Sequence, residues 1–364
     1  MPSFARVSRP LLAAASLLAA LFGGKTAIAA TTIPGGNVIN QTWTPAGSPY
    51  VLEGDVTVPP GAFLTISAGT VVKVKSADSQ AGGLNTAKVE LTINGTLTAS
   101  GTSSSPVTFE GDSGTTAGTW YGIVVGSAAT GASISGAVVK HATYGVTSAA
   151  TGNLLSIVDS TFSANSYGVY LTAGSPSLSK VTATANSYGF YFLAPASPTV
   201  SEAQVFENTS YGLYAYAGTG TSSVFIDKST FDKNGSYGVY ASRSSSGTLT
   251  VNLKNSVVTG HSSYGVYRYT SYPPTVNVTY SDVWGNGTDS NVTLGTGSFT
   301  CNPLYVSSTN RRLTENSPAR KAAESGGGDI GALPYTGDAT PGLYGVLWSG
   351  KVLTKAGSPY AVAG

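Results

Sequence analysis

Apolar residues recur at fixed distances from a Tyr-Gly pair that is repeated along the middle of the chain. The pair occurs seven times, at intervals of roughly 20–30 residues, which is a typical length for one repeat of a solenoid. One coil of three short strands and three turns needs about this length. The glycines of the pairs are Gly122, Gly145, Gly168, Gly189, Gly212, Gly238 and Gly265. The repeat therefore predicts a chain wound into stacked coils.

Apolar and polar residues alternate around each pair, which predicts the inward side of each strand. Two inward positions lie three and eight residues before an asparagine or histidine that recurs shortly ahead of the Tyr-Gly pair. Two more lie one and three residues after the glycine of the pair. The predicted inward residues are Phe162 and Ile157, Val205 and Val200, Phe231 and Ile226, Val258 and Leu253, Val283 and Val278, Val169 and Leu171, Phe190 and Phe192, and Leu213 and Ala215. Like residues are then expected to stack on like residues along the axis.

A column of asparagines marks one turn of the coil, three or four residues before the glycines. Its members are Asn165, Asn186, Asn208, Asn234 and Asn286. At the strand spacing of about 4.8 Å, such asparagines can pass amide hydrogen bonds from coil to coil. His141 and His261 each stand four residues before their glycine. We therefore predict that both histidines replace asparagine in this ladder and are not metal ligands or general bases.

The N-terminal part, before the first pair, has no Tyr-Gly pair but keeps the β pattern. Strands are predicted within residues 50–58, 64–74, 89–97 and 107–111, with turns at Pro-Pro-Gly, Ala-Gly and Asn-Gly sequences between them. The predicted fold class is all-β, a single-stranded right-handed parallel β-helix of roughly ten coils.

The segment from Met1 to Ala29 reads as a secretory signal peptide, with two arginines before a short apolar run and Ala-Ile-Ala at the end. No comparable apolar run follows, so we predict no transmembrane segment and a secreted or cell-surface protein, cleaved near Ala29. Cleavage removes three of 19 basic residues and leaves 16 against 17 acids. This balance excludes a nucleic-acid partner. The lone cysteine, Cys301, excludes an intramolecular disulfide.

The sequence resembles the large family of bacterial right-handed parallel β-helix repeat proteins over residues 33–335. The resemblance rests on the entry Trp-Thr-Pro-Ala-Gly-Ser-Pro-Tyr at 43–50, the coil at 159–170, and tail segments at 302–306, 317–319 and 329–331. It implies the fold but not the activity, since the family includes pectate lyases, polygalacturonases, alginate epimerases and adhesins.

No strong catalytic pattern stands out. The polygalacturonase motifs are not met, and the weak candidates for a lyase or hydrolase are Asp227, Glu202 and Arg243. Glu202 belongs to a charged column, which is formed by Asp159, Lys180, Glu202, Lys228 and Asn255. Asp227 adjoins this column, and Arg243 lies in a longer loop from which it could approach the two acids. We interpret this column as a solvated charge ladder whose members pair with each other, or as a remnant catalytic or calcium patch. No cofactor is predicted, and calcium enters only with the lyase alternative. The short acid pairs Glu53 with Asp55, and Glu110 with Asp112, carry little weight.

A tyrosine column two residues after the glycines is the most suggestive surface feature. It contains Tyr170, Tyr191, Tyr214, Tyr240 and Tyr267, and Tyr216 and Tyr269 extend it. Tyrosine faces can stack on sugar rings, so the column could bind polysaccharide. Alternatively, the tyrosines only stack on each other and stiffen the sheet.

The last residues repeat the beginning, because 356–364 resembles 46–54. We predict a division into a signal peptide (1–29), a β-helix with tail (33–335), and a linker with the start of a second cap (336–364). This arrangement favours a truncated tandem protein, or else end-to-end pairing with a neighbouring molecule. The leading hypothesis is an exported, non-catalytic β-helix protein that binds polysaccharide; the alternative is a polysaccharide lyase or glycoside hydrolase acting on acidic glycans.

Overall fold

A computed structural model of the chain describes residues 29–337, 342–344 and 361–363. Three long parallel sheets, named A, B and C here, contain 11, 11 and 10 strands. Each coil contributes one strand to A, then B, then C, and each strand pairs with its counterpart in the next coil. The described residues contain no α-helix and two short 3-10 helices, at Pro45–Gly47 and Glu324–Gly326. These observations confirm the predicted parallel solenoid of about ten coils.

The strand bounds follow the chain order, with the three sheets in rotation. Sheet A contains β1 (Thr31–Ile33), β4 (Tyr50–Leu52), β7 (Val71–Val74), β10 (Val107–Gly111), β13 (Ala137–Lys140), β16 (Thr161–Ser163), β19 (Thr182–Thr184), β22 (Gln204–Phe206), β25 (Thr230–Asp232), β28 (Val257–Thr259) and β31 (Asp282–Trp284). Sheet B contains β2 (Gly36–Asn37), β5 (Val56–Val58), β8 (Glu90–Ile93), β11 (Trp120–Val125), β14 (Ala142–Ser148), β17 (Tyr167–Leu171), β20 (Tyr188–Leu193), β23 (Tyr211–Ala217), β26 (Tyr237–Arg243), β29 (Tyr264–Arg268) and β32 (Thr288–Ser290). Sheet C contains β3 (Gln41–Trp43), β6 (Phe63–Ser67), β9 (Thr96–Ser100), β12 (Gly131–Ser135), β15 (Leu155–Val158), β18 (Ser177–Ser179), β21 (Thr199–Ser201), β24 (Gly220–Asp227), β27 (Gly247–Lys254) and β30 (Thr275–Thr279).

The core runs along the axis inside the three sheets. All of the predicted inward residues are buried, with Phe162, Phe190 and Phe231 among the largest. Stacking follows the predicted register, because Val169 pairs with Phe190 and Phe190 with Leu213 in sheet B. Each fully buried aliphatic or aromatic side chain contributes about 1.5–3 kcal/mol relative to an exposed one. The repeated core thus provides most of the stability that one coil gains from its neighbours.

The glycine of each Tyr-Gly pair is required by close contact between coils. A Cβ at Gly168 would lie 2.5 Å from the carbonyl oxygen of Gly189, and one at Gly189 would lie 2.6 Å from that of Gly212. Any side chain would therefore push successive coils apart. This contact explains why the glycine recurs in every coil of the series.

The asparagine ladder is formed as predicted. The side-chain Nδ2 of Asn165 donates to Oδ1 of Asn186 at 3.1 Å, and the step from Asn208 to Asn234 measures 2.8 Å. Each amide oxygen also accepts the backbone N–H of the preceding ladder residue, as Asn234 does from Asn208 at 3.1 Å. His261 continues the column, because its Nδ1 accepts the Asn234 backbone N–H at 3.0 Å.

The prediction for His141 was wrong by one position. Lys140 pairs with Ser163, so Ala142, not His141, stands opposite Asn165, and Ala142 donates its N–H to that side chain at 2.9 Å. His141 instead takes the left-handed turn position, with φ 67°, that Ala164 occupies in the next coil with φ 54°. The distance from ladder to glycine is three residues in this coil, as it is for Asn165 and Asn186, and four from Asn208 onward.

The charged column lies at the corner between sheets C and A. Its five residues, Asp159, Lys180, Glu202, Lys228 and Asn255, all have left-handed φ between 45° and 54°. No ion pair in the described chain joins two of them, so the expected mutual pairing is not found. Asn255 is buried and donates instead to Asp227 Oδ1 at 2.7 Å. The other four residues are exposed, and an exposed ion pair stabilises a protein by only about 0–1 kcal/mol.

The tail after the last coil covers the outer face of sheet A. Residues 299–335 pack there, and Leu313, Ala319 and Ile330 form a second small core with Val257. Arg311, a buried residue of the tail, donates from Nε to Asp232 Oδ2 at 2.7 Å. Strands β25 and β28 are consequently buried on both faces.

The described part of the C-terminal segment contains β33 (Gly342–Tyr344) and β34 (Ala361–Ala363), which pair in parallel. In this pair of strands Gly342 stands opposite Ala361, and in the first pair of the solenoid Thr32 stands opposite Val51. The separation of the paired residues along the chain is the same in both places. The division at residue 336 stays a prediction, and residues 1–28 of the predicted signal peptide and most of the 356–364 repeat lie outside the described residues.

Candidate functional site: the tyrosine face of sheet B

Two neighbouring columns of tyrosines cover the outer face of sheet B. The first contains six of the seven tyrosines of the Tyr-Gly pairs, namely Tyr144, Tyr167, Tyr188, Tyr211, Tyr237 and Tyr264. The second is the predicted column, in which Tyr170, Tyr191, Tyr214, Tyr240 and Tyr267 pair in register from coil to coil. All of these residues are half-buried. Together we call them the tyrosine face.

The rings of the tyrosine face are fixed by contacts in two directions. Along the axis they stack: the ring centroids of Tyr191 and Tyr214 are 4.7 Å apart with planes 15° from parallel, and those of Tyr214 and Tyr240 are 5.0 Å apart at 8°. Across the columns they meet edge to face, as Tyr211 and Tyr214 do at 5.3 Å and 88°. Such pairs contribute about 0.5–1.5 kcal/mol each beyond their burial.

This packing changes how a sugar could be held. The inner rings use both faces on their neighbours along the axis, so a sugar cannot stack on them as the sequence suggested. The polar groups left for a ligand are the tyrosine hydroxyls, which both donate and accept hydrogen bonds. Burial is the main cause that raises the pKa of Tyr170, Tyr188 and Tyr211 above the ordinary value. These hydroxyls consequently keep their protons at neutral pH.

A small cleft of about 260 Å³ lies beside the C-terminal part of the tyrosine face. It is lined by Tyr214, Tyr216, Tyr240, Ser242, Arg243 and Tyr269. Arg243 holds two neighbouring loops together through hydrogen bonds. Its Nη1 donates to the carbonyl oxygen of Gly247 at 3.1 Å, and its Nε donates to the carbonyl oxygen of Pro273 at 3.2 Å. Arg243 therefore acts as a brace for the rim beside the tyrosines.

The three weak catalytic candidates do not come together. Glu202 and Asp227 are neighbours at the corner between sheets C and A, where the Glu202 N–H donates to the Asp227 carbonyl at 3.1 Å. Asp227 Oδ1 accepts from Asn255 Nδ2 at 2.7 Å. Arg243 is the last residue of β26 in sheet B, at the corner between sheets B and C, and the length of β27 separates it from the corner between sheets C and A by about 20 Å. One substrate bond cannot be reached by all three side chains.

A second groove, of about 690 Å³, adjoins the N-terminal end of the tyrosine face. Tyr121, Tyr144 and Tyr170 line one side, and Asp55 and Glu90 lie at the other. Burial raises the pKa of the Asp55 carboxyl to about 6; a hydrogen bond from the Glu90 N–H opposes this, and the negative charges of Asp78 and Glu90 add to it. We name this groove the carboxyl pocket.

Sequence reasoning missed the carboxyl pocket and the first tyrosine column. In the sequence, Asp55 was noted only for its closeness to a second acid, Glu53. The spacing of the residues did not predict that Asp55 contacts Glu90, which is 35 residues later. The first column was hidden by strict alternation. In β17 the outward residues Tyr167 and Tyr170 are three apart, because Gly168 and Val169 are both buried between them.

The described residues contain no group of three or more His, Cys, Asp or Glu side chains able to hold a metal ion. Among the same residues, no helix has the length and apolar character needed to cross a membrane.

Two family models match the chain and agree with this architecture. A model of the right-handed β-helix region matches residues 144–314, and a model of the pectate-lyase-like β-helix domain matches residues 36–154. Two solved structures of the periplasmic alginate epimerase AlgG, one of them a double mutant, are similar with TM-scores of 0.45 and 0.46 at 10% identity. The similarity covers 71% of this chain and 73% and 74% of those chains. No curated protein matches the chain significantly. The two family models and the three parallel sheets identify the chain as a right-handed parallel β-helix repeat protein with a pectate-lyase-like fold.

Proposed function

We propose that this chain is an exported, non-catalytic β-helix protein that binds polysaccharide along the tyrosine face. The observation that carries the proposal is the pair of ordered tyrosine columns, whose hydroxyls repeat at the ring spacing of about 5 Å along the axis. Five coils, from Tyr170 to Tyr267, form the core of the face. A long polymer laid parallel to the axis would meet the same groups in every coil.

The packing of the rings favours binding because the side chains are already ordered. Immobilising a free side chain on binding costs about 0.5–1.5 kcal/mol, and the stacked tyrosines avoid most of that cost. Each hydroxyl can donate to and accept from sugar hydroxyls. The rim braced by Arg243 limits one side of the face, which helps to align an extended chain.

The alternative, a lyase or hydrolase using Asp227, Glu202 and Arg243, receives less support from the geometry. The distance of about 20 Å between Arg243 and the two acids is too large for joint action on one bond. Export remains part of the proposal on the strength of the N-terminal segment from Met1 to Ala29.

The test measures binding and cleavage together on the purified mature chain. Neutral and acidic polysaccharides are used in pull-down and calorimetric titration, and ultraviolet absorbance and reducing ends report bond cleavage. The triple variant Tyr191→Phe, Tyr214→Phe, Tyr240→Phe keeps the stacking but removes three hydroxyls. We expect it to weaken binding by about tenfold or more.

The matched control is Tyr280→Phe, since Tyr280 lies at the corner between sheets C and A with φ 50°. This control should bind as the unmodified protein does. The proposal fails if no polysaccharide binds, or if the triple variant binds unchanged, which would leave the tyrosines a structural role. Cleavage that Asp227→Asn abolishes would favour the enzymatic alternative.

A further inference from the structure

Two buried carboxylates, Asp55 and Glu90, and the half-buried Asp78 lie at the loop of residues 75–89, which joins β7 to β8. Asp55 precedes β5, Asp78 lies in the loop, and Glu90 begins β8. No ion pair among the described residues involves any of the three. Carboxylates buried without a cationic partner are costly, and each needs an identified source of compensation.

Hydrogen bonds account for all but one of their oxygens. Both oxygens of Asp78 accept backbone N–H groups, from Asp55 and Gln80 on Oδ1 and from Gly82 on Oδ2. Glu90 Oε2 accepts the Leu84 N–H at 3.0 Å, and its Oε1 accepts the Thr92 hydroxyl at 2.8 Å.

The exception is Asp55. Its Oδ1 accepts the Glu90 N–H at 2.9 Å, whereas Oδ2 is buried and has no hydrogen-bond partner. The residue is 7% exposed and lines the carboxyl pocket. A buried oxygen without a donor commonly marks the place of an ion or water.

Gly83 shows where the free oxygen points. A Cβ built on Gly83 would lie 2.6 Å from Asp55 Oδ2 and 2.6 Å from Glu90 Oε1. The two oxygens are therefore no more than twice 2.6 Å apart and converge beside the glycine. One Ca²⁺ ion, which lies about 2.3–2.6 Å from its oxygen ligands, can bridge that separation. Gly83 has φ +63° and leaves this space free of a side chain.

We propose that Asp55 and Glu90 bind a divalent cation of the calcium class beside Gly83, beneath the 75–89 loop. Two carboxylates supply the charge, and backbone carbonyls and water complete the six to eight oxygen ligands that calcium takes. The bound ion fixes the loop against sheet B and so sets the shape of the carboxyl pocket next to Tyr121. This inference does not depend on the binding of polysaccharide.

The test is a calcium titration of the mature chain after treatment with a chelator. Calcium chloride should raise the thermal midpoint by several degrees, and magnesium at the same concentration should raise it less, because magnesium gives up its water reluctantly. Asp55→Asn, which keeps the acceptor for the Glu90 N–H, should abolish the shift. Glu53→Gln changes an acid two positions away and should keep it.

A second measurement does not depend on unfolding. Terbium should bind in place of calcium and luminesce on excitation of the nearby Tyr121, with calcium displacing it and Asp55→Asn removing the signal. The proposal is overturned if calcium leaves both the midpoint and the terbium signal unchanged. It is also overturned if Asp55→Asn responds to calcium as the unmodified protein does.

Discussion

Asn186 donates from Nδ2 to Oδ1 of Asn208 at 2.9 Å, deep inside a turn where neither side chain meets water. The same Nδ2 donates to the Phe162 carbonyl at 3.0 Å, and Asn186 Oδ1 accepts both the backbone N–H and the Nδ2 of Asn165. The side chain of Asn186 thus bonds to groups in the coil before it and in the coil after it, and so links three successive coils. Amide chains of this kind are expected to strengthen each bond through polarisation of the next.

Asn186→Ala should therefore destabilise the protein by about 2–6 kcal/mol, because two buried donors of Asn165 lose their acceptor at about 1–3 kcal/mol each. Chemical unfolding followed by circular dichroism measures the change. The control is Asn252→Ala, which removes an amide pair with Asn277 on the solvent side of sheet C. That control should stay within about 0.5 kcal/mol of the unmodified protein. An equal loss of unfolding free energy in the two variants would mean that the ladder asparagine stabilises the protein no more than an exposed asparagine does.

The buried pair of Asp232 and Arg311 gives a second prediction. Both side chains are 4% exposed, and their ion pair measures 2.7 Å. Arg311→Ala should cost about 3–5 kcal/mol because it leaves the Asp232 carboxylate buried and unpaired. The comparator is Lys140→Ala, which breaks the partly exposed pair with Glu110 at 2.8 Å and should cost less than about 1 kcal/mol.

The double variant Arg311→Met, Asp232→Leu distinguishes the cost of an unpaired buried charge from the cost of losing the packing of the tail on sheet A. It should recover most of the stability lost in Arg311→Ala, since replacing both members of a buried pair by apolar residues is often close to neutral. Urea unfolding of the three variants distinguishes the two contributions. A double variant as unstable as Arg311→Ala would show that docking of the tail, rather than the unpaired charge, accounts for the loss.

The repeat was sufficient to predict the fold and most of the core. Apolar positions such as Phe162 and Val205 could be assigned because coil length varies by only a few residues and like positions stack. The register of His141 could not, because the distance between ladder and glycine changes from three residues to four along the chain. Counting from the glycine alone therefore placed this histidine one position off.

The candidate sites were harder to predict for a different reason. Tyr167 and Tyr170 both face outward because the two residues between them, Gly168 and Val169, are both buried. Strict alternation of inward and outward residues would instead turn one of the two tyrosines toward the core. The carboxyl pocket joins Asp55 to Glu90 through the pairing of β5 with β8, across a long intervening segment. Such contacts depend on which coil lies next to which, and the N-terminal coils lack the Tyr-Gly marker that sets the register elsewhere.

His261 is the ladder position where an asparagine has been replaced. Its Nδ1 accepts the Asn234 N–H, so the proton of the neutral ring belongs on Nε2. Burial lowers the pKa of His261 to about 4, and the nearby backbone of Asn234 and Phe231 only partly offsets this. The folded state therefore binds fewer protons than the unfolded state between about pH 4 and the ordinary histidine pKa of about 6.5.

It follows that the free energy of unfolding should fall as the pH is lowered from about 6.5 to 4, by roughly 3 kcal/mol from this residue. His261→Asn should remove that acid sensitivity. At pH 8, where the histidine is neutral, the variant should equal or exceed the unmodified protein by up to about 1 kcal/mol, because asparagine restores the amide step from Asn234. His141→Asn, outside the ladder, should gain no stability at pH 8. Guanidinium unfolding at a series of pH values checks both points, and a His261→Asn profile parallel to that of the unmodified protein would refute the assignment.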